Sequence, residues 1–321
     1  MPRHPRLLAA LLVVPLAVAG VALFGRRVWL APGPLPAARA IVVPAGGIDT
    51  VAAALAGDRV IRSPFLFRIA VLLSAGAGPV RAGEFAVPAH ASLAGLLAIL
   101  RHGALVEHHL SIPEGLTARQ IQARLAAAPA LHGPAPLPPE GAVLPATYDY
   151  LRGTTRAALL ARAEAAMRRT LARLWAGRDP ALALKTPRQA LILASIVERE
   201  TALPAERPIV ASVYLNRLAL GMRLQADPTV IYAASHGAGM LAHPITEGEL
   251  RLASPFNTYR VAGLPPGPIC SPGIAALEAV LHPATTKFLY FVADGSGGHV
   301  FSRHYASQQR NVARLRGDRA P

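Results

Sequence analysis

The sequence is poor in cysteine, lysine and aromatic residues, and each shortage closes off a class of function. Cysteine occurs once in 321 residues, at Cys270. One thiol builds neither an internal disulfide nor a Cys-based zinc site. Lysine occurs only at Lys185 and Lys287, so the net charge of +15 is carried almost entirely by scattered arginines. With aromatics at 5%, no basic stripe is interleaved with stacking side chains, and no helix-turn-helix, zinc-finger or RNP-type motif is present. Nucleic acid is therefore not the expected partner; a basic surface of this kind suits anionic lipid headgroups or an acidic polymer. The H-E-x-x-H, P-loop and G-x-S-x-G patterns are also missing. His236, His243, Glu247 and Glu249 lie close together at a spacing that fits no metal template. No metal or cofactor is expected.

What is abundant is apolar sequence, 52% of the chain, enough for a substantial core. The first such stretch, Leu7 to Gly25, reads LLAALLVVPLAVAGVALFG and contains no charge. At about 1.5 Å rise per residue, roughly 19 residues span about 28 Å, close to the hydrocarbon thickness of a bilayer. Residues 7–25 are expected to be a single-pass anchor behind a cytoplasmic tail, residues 1–6. A cleavable signal peptide is the alternative, since Ala17-Val18-Ala19 resembles a cleavage site. Either way the remainder of the chain lies outside the cytoplasm. Residues 26–40 form a Pro-rich tether.

Beyond the tether the patterning is mixed. Ala40 to Val43 is a short apolar run, VAAALAGDRVI and PFLFRIAVLLSAG read as helices, and GEFAVPAHASLAGLLAILRHG as a strand followed by a helix ending at Gly103. LSIPEGL reads as a strand and turn, with Thr117 as helix N-cap. Residues 128–145 are Pro-rich and irregular. Helical periods then cover Thr154 to Trp175, Pro187 to about Thr201, and about Glu206 to Leu220, with Gly221 where a C-terminal glycine belongs. Pro244 to Gly273 is dense in loop residues. A short helix, IAALEAVLH, follows, and KFLYFVADGSGGHVFS gives a strong hairpin signal around Asp-Gly-Ser-Gly-Gly.

The helix ending ASIVERETAL carries two glutamates. Successive helical residues turn by about 100°, so Glu198 and Glu200 are about 200° apart and do not share a face. The apolar line through Leu193, Ile196 and Val197 continues onto Glu200, whereas Glu198 follows the smaller and more polar Leu191, Ala194 and Ser195. Glu200 thus occupies a core position, where burial raises a carboxyl pKa toward what a general acid requires. The alternatives from periodicity are a frayed helix end, or a pair with Arg207. Loops rich in neutral donors and acceptors follow: Gln225, Asp227, Thr229 and Tyr232 in RLQADPTVIYA, and Asn257, Thr258 and Tyr259 in PFNTYRVAGLPPGP. The hairpin adds His299. Beside one buried acid, such groups suit a sugar polymer better than a phosphate or a metal.

The stretches LILASIVERETALPAERPIVASVYLNRLALGMRLQADPTVIY, PFNTYRVAGLPPGPICSPG and FLYFVADGSGGHVFS, in this order and spacing, closely resemble the YceG-like (MltG) family of endolytic murein transglycosylases. The resemblance implies an α+β chain. A small LysM-like α/β module, residues 41–110, would precede a mainly helical, lysozyme/transglycosylase-like catalytic domain, residues 111–321, with a short antiparallel sheet. It implies cleavage of nascent peptidoglycan glycan strands between MurNAc and GlcNAc, leaving 1,6-anhydro-MurNAc ends and ending chain elongation. It also implies a periplasmic catalytic domain on the bacterial inner membrane, with peptidoglycan synthases (penicillin-binding proteins) as partners. The family's catalytic glutamate, the second of its E-x-E-T pattern, falls on Glu200, in agreement with the apolar stripe. Gln225, Asp227, Thr229, Tyr232, Asn257, Thr258, Tyr259 and His299 would contact substrate. The chain departs from the family pattern at Ala146, Ala226, Phe256 and Arg310. A muramidase using the same glutamate with water as acceptor, and a non-catalytic glycan-binding scaffold, are the competing functions.

Overall fold

A computed structural model describes the backbone of residues 5–317 and the side chains of residues 16–314. The chain divides into two compact units: one runs to His108 and takes back Leu151–Gly153, and the other comprises His109–Tyr150 and the chain from Thr154 onward.

The first unit opens with helix α1, Pro5–Leu30. The expected anchor, residues 7–25, falls partly outside the residues whose side chains are described. Among the described residues no helix is long and apolar enough to cross a membrane. Strand β1 (Arg39–Val43), helices α2 (Ile48–Gly57) and α3 (Pro64–Leu73), strand β2 (Gly83–Val87) and helix α4 (Leu93–His102) follow. The two strands pair antiparallel, with Ile41 opposite Phe85 and Val43 opposite Gly83. Alternation turns Ile41, Val43, Phe85 and Val87 inward onto Leu55, Phe67, Leu96 and Leu100. Ser63 and Ser92 cap α3 and α4 by accepting the third helical N–H, satisfying a donor that the helix leaves unpaired.

The second unit begins in strand β3 (Glu107–Ile112). A capping box at Thr117 and Gln120 starts helix α5 (Ala118–Ala127). Most of residues 128–145 lacks regular structure. The chain then forms β4 (Ala146–Leu151), which pairs with β3 and which the sequence reading had not anticipated. Helix α6 (Arg156–Ala176) packs on α5 through Ile121, Leu125, Leu159 and Ala163. Helices α7 (Pro187–Glu200) and α8 (Arg207–Ala219) lead to α9 (Asp227–Ala234), the single-turn α10 (Glu247–Leu250) and α11 (Ile274–Leu281). The hairpin of β5 (Tyr290–Ala293) and β6 (His299–Ser302) pairs Phe291 with Phe301, and α12 (Tyr305–Gly317) follows.

Helix α7 is the axis of this unit. Thr186 caps it, and Pro187, whose missing N–H costs nothing at the first turn, begins it. Every residue from Ile192 to Val197 is buried, because α8, α11 and α6 surround the helix. Gly221, at φ +67°, closes α8 in the left-handed conformation that glycine adopts without steric cost. The α+β class is as expected from the sequence.

Candidate active site

The C-terminal end of α7 opens onto a cleft of about 360 Å³ lined by Glu114, Gly115, Glu198, Arg199, Glu200, Thr201, Ala202 and Arg207. Two α8 side chains approach Glu200 from beneath. The Tyr214 hydroxyl donates a hydrogen bond to Glu200 Oε1. Arg217 is itself buried, its Nε donating to the Leu289 carbonyl at 2.6 Å and an Nη to the Leu224 carbonyl at 2.6 Å. Part of the Glu200 side chain reaches the cleft, but packing around the carboxyl takes it out of water. That burial raises its pKa from 4.5 to about 7; the nearby negative charge of Asp227 adds to the rise, while the Tyr214 hydrogen bond and the Arg217 charge oppose it. Glu200 therefore holds its proton near neutral pH and stays poised to give it up. Tyr214, buried against the same carboxyl, has its own pKa pushed far upward and acts as donor only.

Glu198 departs from expectation. It does not face away from the site: it lines the same cleft, with its side chain 5% exposed. Its carboxylate accepts the Gly273 N–H at 2.8 Å and an Arg207 Nη–H at 3.3 Å. Burial raises its pKa as well and the Glu114 charge adds to the rise, while the Gly273 amide and the Arg207 and Arg199 charges oppose it. Arg207 also lies 3.8 Å from Glu114. The guanidinium thus belongs to Glu198 and Glu114, and the alternative pairing with Glu200 does not form. Arg199 holds the cleft wall by donating to the Gly115 and Gly239 carbonyls at 3.2 and 2.8 Å.

The polar residues singled out in the sequence separate into three groups. Asp227 and Tyr259 stand by Glu200: the Tyr259 hydroxyl donates to Asp227 Oδ1 at 2.6 Å, the Asp227 charge raises the Glu200 pKa, and burial together with the Asp227 and Glu200 charges keeps Tyr259 a neutral donor. Gln225 is exposed two residues before Asp227 and takes φ +49°, an uncommon conformation for a non-glycine residue. These three remain candidates for substrate contact.

Thr229, Thr258 and Asn257 form the second group, and the structure corrects their expected role. All three are fully buried. Thr229 donates to the Ala226 carbonyl at 2.6 Å and lies 2.8 Å from the Thr258 hydroxyl, which accepts the Ala226 N–H at 2.9 Å. Asn257 Nδ2 lies within hydrogen-bonding distance of the Glu249, Leu250 and Leu252 carbonyls. They satisfy backbone groups that the loop would otherwise bury unpaired, which fixes Gln225 and Asp227 in place.

The third group is engaged elsewhere. Tyr232 donates to Glu140 at 3.1 Å and packs on Phe256. The His299 ring Nδ1 sits 2.7 Å from Glu206, and its backbone N–H donates to the same carboxylate at 2.8 Å. Glu206 accepts in turn from the Thr201 hydroxyl at 3.0 Å, so the hairpin is tied to the residue following Glu200. Tyr214, Arg217 and Glu114 were not singled out from sequence. A signal for the first two was present: a tyrosine and an arginine three apart on the buried face of α8 require polar partners.

The YceG-like family model matches residues 41–314. An endolytic murein transglycosylase of Bacillus subtilis (strain 168) is 44% identical over 113 residues, covering 35% of this chain and 30% of that protein. One from Streptococcus pneumoniae (strain ATCC BAA-255 / R6) is 36% identical over 183 residues, 54% of this chain and 32% of that protein. The chain thus spans about a third of the length of these curated relatives. The 2.6 Å crystal structure of a YceG-like protein from Listeria monocytogenes superposes with a TM-score of 0.51 at 28% identity, covering 85% of this chain and 98% of that one.

Proposed function

The chain belongs to the YceG-like family, and from that premise we propose that it is an endolytic murein transglycosylase with Glu200 as its acid. The observation that carries this reading is a buried carboxyl hydrogen-bonded by Tyr214 at the wall of an open cleft, where burial raises its pKa to about 7. Glu200 donates its proton to the glycosidic oxygen between MurNAc and GlcNAc as the bond from the anomeric carbon breaks. The substrate's own N-acetyl group stabilises the positive charge at that carbon. The MurNAc 6-hydroxyl then attacks the anomeric carbon, and its proton returns to the Glu200 carboxylate. A 1,6-anhydro end forms, no water is consumed, and the acid is regenerated. Gln225, Asp227 and Tyr259 position the sugars.

Glu198 gives a second reading some support, since glycosidases that use water place two carboxylates about the scissile bond. Against it, Glu198 is already committed to Arg207 and the Gly273 amide, which fix its carboxyl in place. The two reactions leave different ends. Uncross-linked glycan strands incubated with the protein should yield internal fragments ending in anhydro-MurNAc by mass spectrometry, absent with Glu200→Gln. Reducing ends, heavier by one water, would establish the muramidase instead. No cleavage by folded protein would leave a binding scaffold.

The apolar run 7–25 supports a single-pass inner-membrane anchor with the catalytic domain in the periplasm, and the β1–α2–α3–β2 module supports the LysM-like reading. Nascent glycan places the enzyme beside peptidoglycan synthases.

A further inference from the structure

Helix α3 has two apolar faces, and among the described residues only one of them has a partner. Phe67 and Ala70 are buried in the core of the first unit, beside Val71. Phe65, Ile69, Leu72 and Leu73, at the i, i+4, i+7 and i+8 spacing that marks one side of a helix, are 60%, 37%, 75% and 82% exposed. Four large aliphatic or aromatic side chains on one three-turn helix form a contiguous patch, which in a soluble surface marks an interaction site.

We propose that this face lies in the interfacial layer of a bilayer that carries anionic headgroups. Three observations select that occupant. The end of α1 and the start of α3 wall one apolar cavity of about 190 Å³, to which Val28, Ala31 and Pro32 contribute from one side and Leu66 and Phe67 from the other. Arg62, just before α3, donates to the Pro32 carbonyl at 3.3 Å, and the Gly33 N–H donates to the His90 carbonyl at 3.1 Å. The segment leaving α1 is thereby pinned to the module, so α3 sits level with residues 28–34. Finally, Arg26, Arg27, Arg59, Arg62 and Arg68 are exposed around this region against only Asp49 and Asp58, with Asp49 engaged by Arg68 at 2.7 Å. Arg26 and Arg27 follow directly on the apolar run of α1 and mark headgroup depth. An apolar face ringed by arginines at that depth buries its side chains at the acyl boundary while the guanidinium groups meet lipid phosphates. The depth assignment rests on α1 being the anchor; the patch itself does not.

The sole native thiol makes the test simple. Cys270 is fully buried and donates to the Ser195 carbonyl, so a label added at an introduced cysteine is site-specific. The full chain carrying Leu72→Cys, or separately Val21→Cys, is labelled with an environment-sensitive fluorophore. Each is then placed in vesicles of phosphatidylethanolamine and phosphatidylglycerol containing a shallow nitroxide lipid. The label at position 72 should lose about half its emission or more, with a smaller loss in phosphatidylcholine vesicles or when Arg62 and Arg68 are replaced by glutamine. Quenching at position 21 without quenching at 72 would overturn the proposal and spare the anchor. Quenching at 72 alone would keep the proposal and remove the anchor. No quenching at either position would remove both. Emission at 72 that instead changes with protein concentration in lipid-free detergent would assign the face to a second copy and overturn the proposal.

Discussion

The surroundings of Glu198 and Glu200 differ although the two residues share one helical turn. Both carboxyls are withdrawn from water, and burial raises the pKa of each. Around Glu198 stand a backbone N–H and a guanidinium, groups that favour the charged form. Around Glu200 stand one hydroxyl, the negative charge of Asp227 and the guanidinium of Arg217, whose hydrogen bonds go to backbone carbonyls instead. Burial alone therefore does not make an acid catalyst; the donors left within reach decide whether a buried carboxyl becomes an anchor or a proton source.

The comparison breaks most sharply by substitution. Glu200→Gln should lower glycan cleavage by about 10³-fold, within the range of a lost general acid, whereas Glu198→Gln should retain the reaction and instead destabilise the fold. For Glu198→Gln we expect a loss of about 2 kcal/mol in denaturant unfolding, because Arg207 keeps only the distant, half-exposed Glu114. Equal activity losses in the two variants would erase the distinction.

Stability against pH sharpens it further. The folded-state pKa of Glu200 lies above its ordinary value, so the native chain binds the proton more tightly and its stability falls as pH rises from 4.5 toward 7. Glu200→Gln removes that loss. The variant should gain up to about 3 kcal/mol over the parent at pH 8, at 1.36 kcal/mol per pH unit, and the gain should vanish below pH 4.5. Thermal unfolding across that range measures it. Activity follows the protonated acid and should fall about tenfold per pH unit above 7.

Subtler is Tyr214→Phe, which deletes the donor that lowers the Glu200 pKa. The alkaline limb of the rate profile should move up by about one pH unit, with the protein still folded. A limb that stays in place would mean the hydroxyl only fills space. The smallest effect on chemistry is expected for Asn257→Ala. It leaves three loop carbonyls without their donor, costs about 2 kcal/mol of stability, and changes substrate affinity only through the loop.

Helix ends were the most legible features, because their chemistry is local. Thr117 and Gly221 each do what their residue type and position imply. Glu200 was also readable, since the apolar line on α7 runs onto it. Glu198 was misjudged for a physical reason: α7 is buried on every side from Ile192 to Val197, so a weaker line still leads inward. Helix α9 was hidden by Pro228 and Thr229, although proline is acceptable in a first turn. Strand β4 offers only Tyr148 and Tyr150 as alternation after a Pro-rich stretch. Thr229, Asn257 and Thr258 looked like ligand contacts because a loop that buries its own carbonyls and a loop that grips a sugar need the same side chains.

The link from Thr201 through Glu206 to His299 joins residues almost a hundred positions apart. Arg217 likewise waits for the Leu289 carbonyl. During synthesis from the N-terminus, α7 and its glutamate leave the ribosome well before the hairpin that braces them. The Glu200 site is therefore assembled late, and a chain stalled before β6 carries the glutamate without the support that holds it. A wall-cutting enzyme of the kind proposed would gain from that order of events.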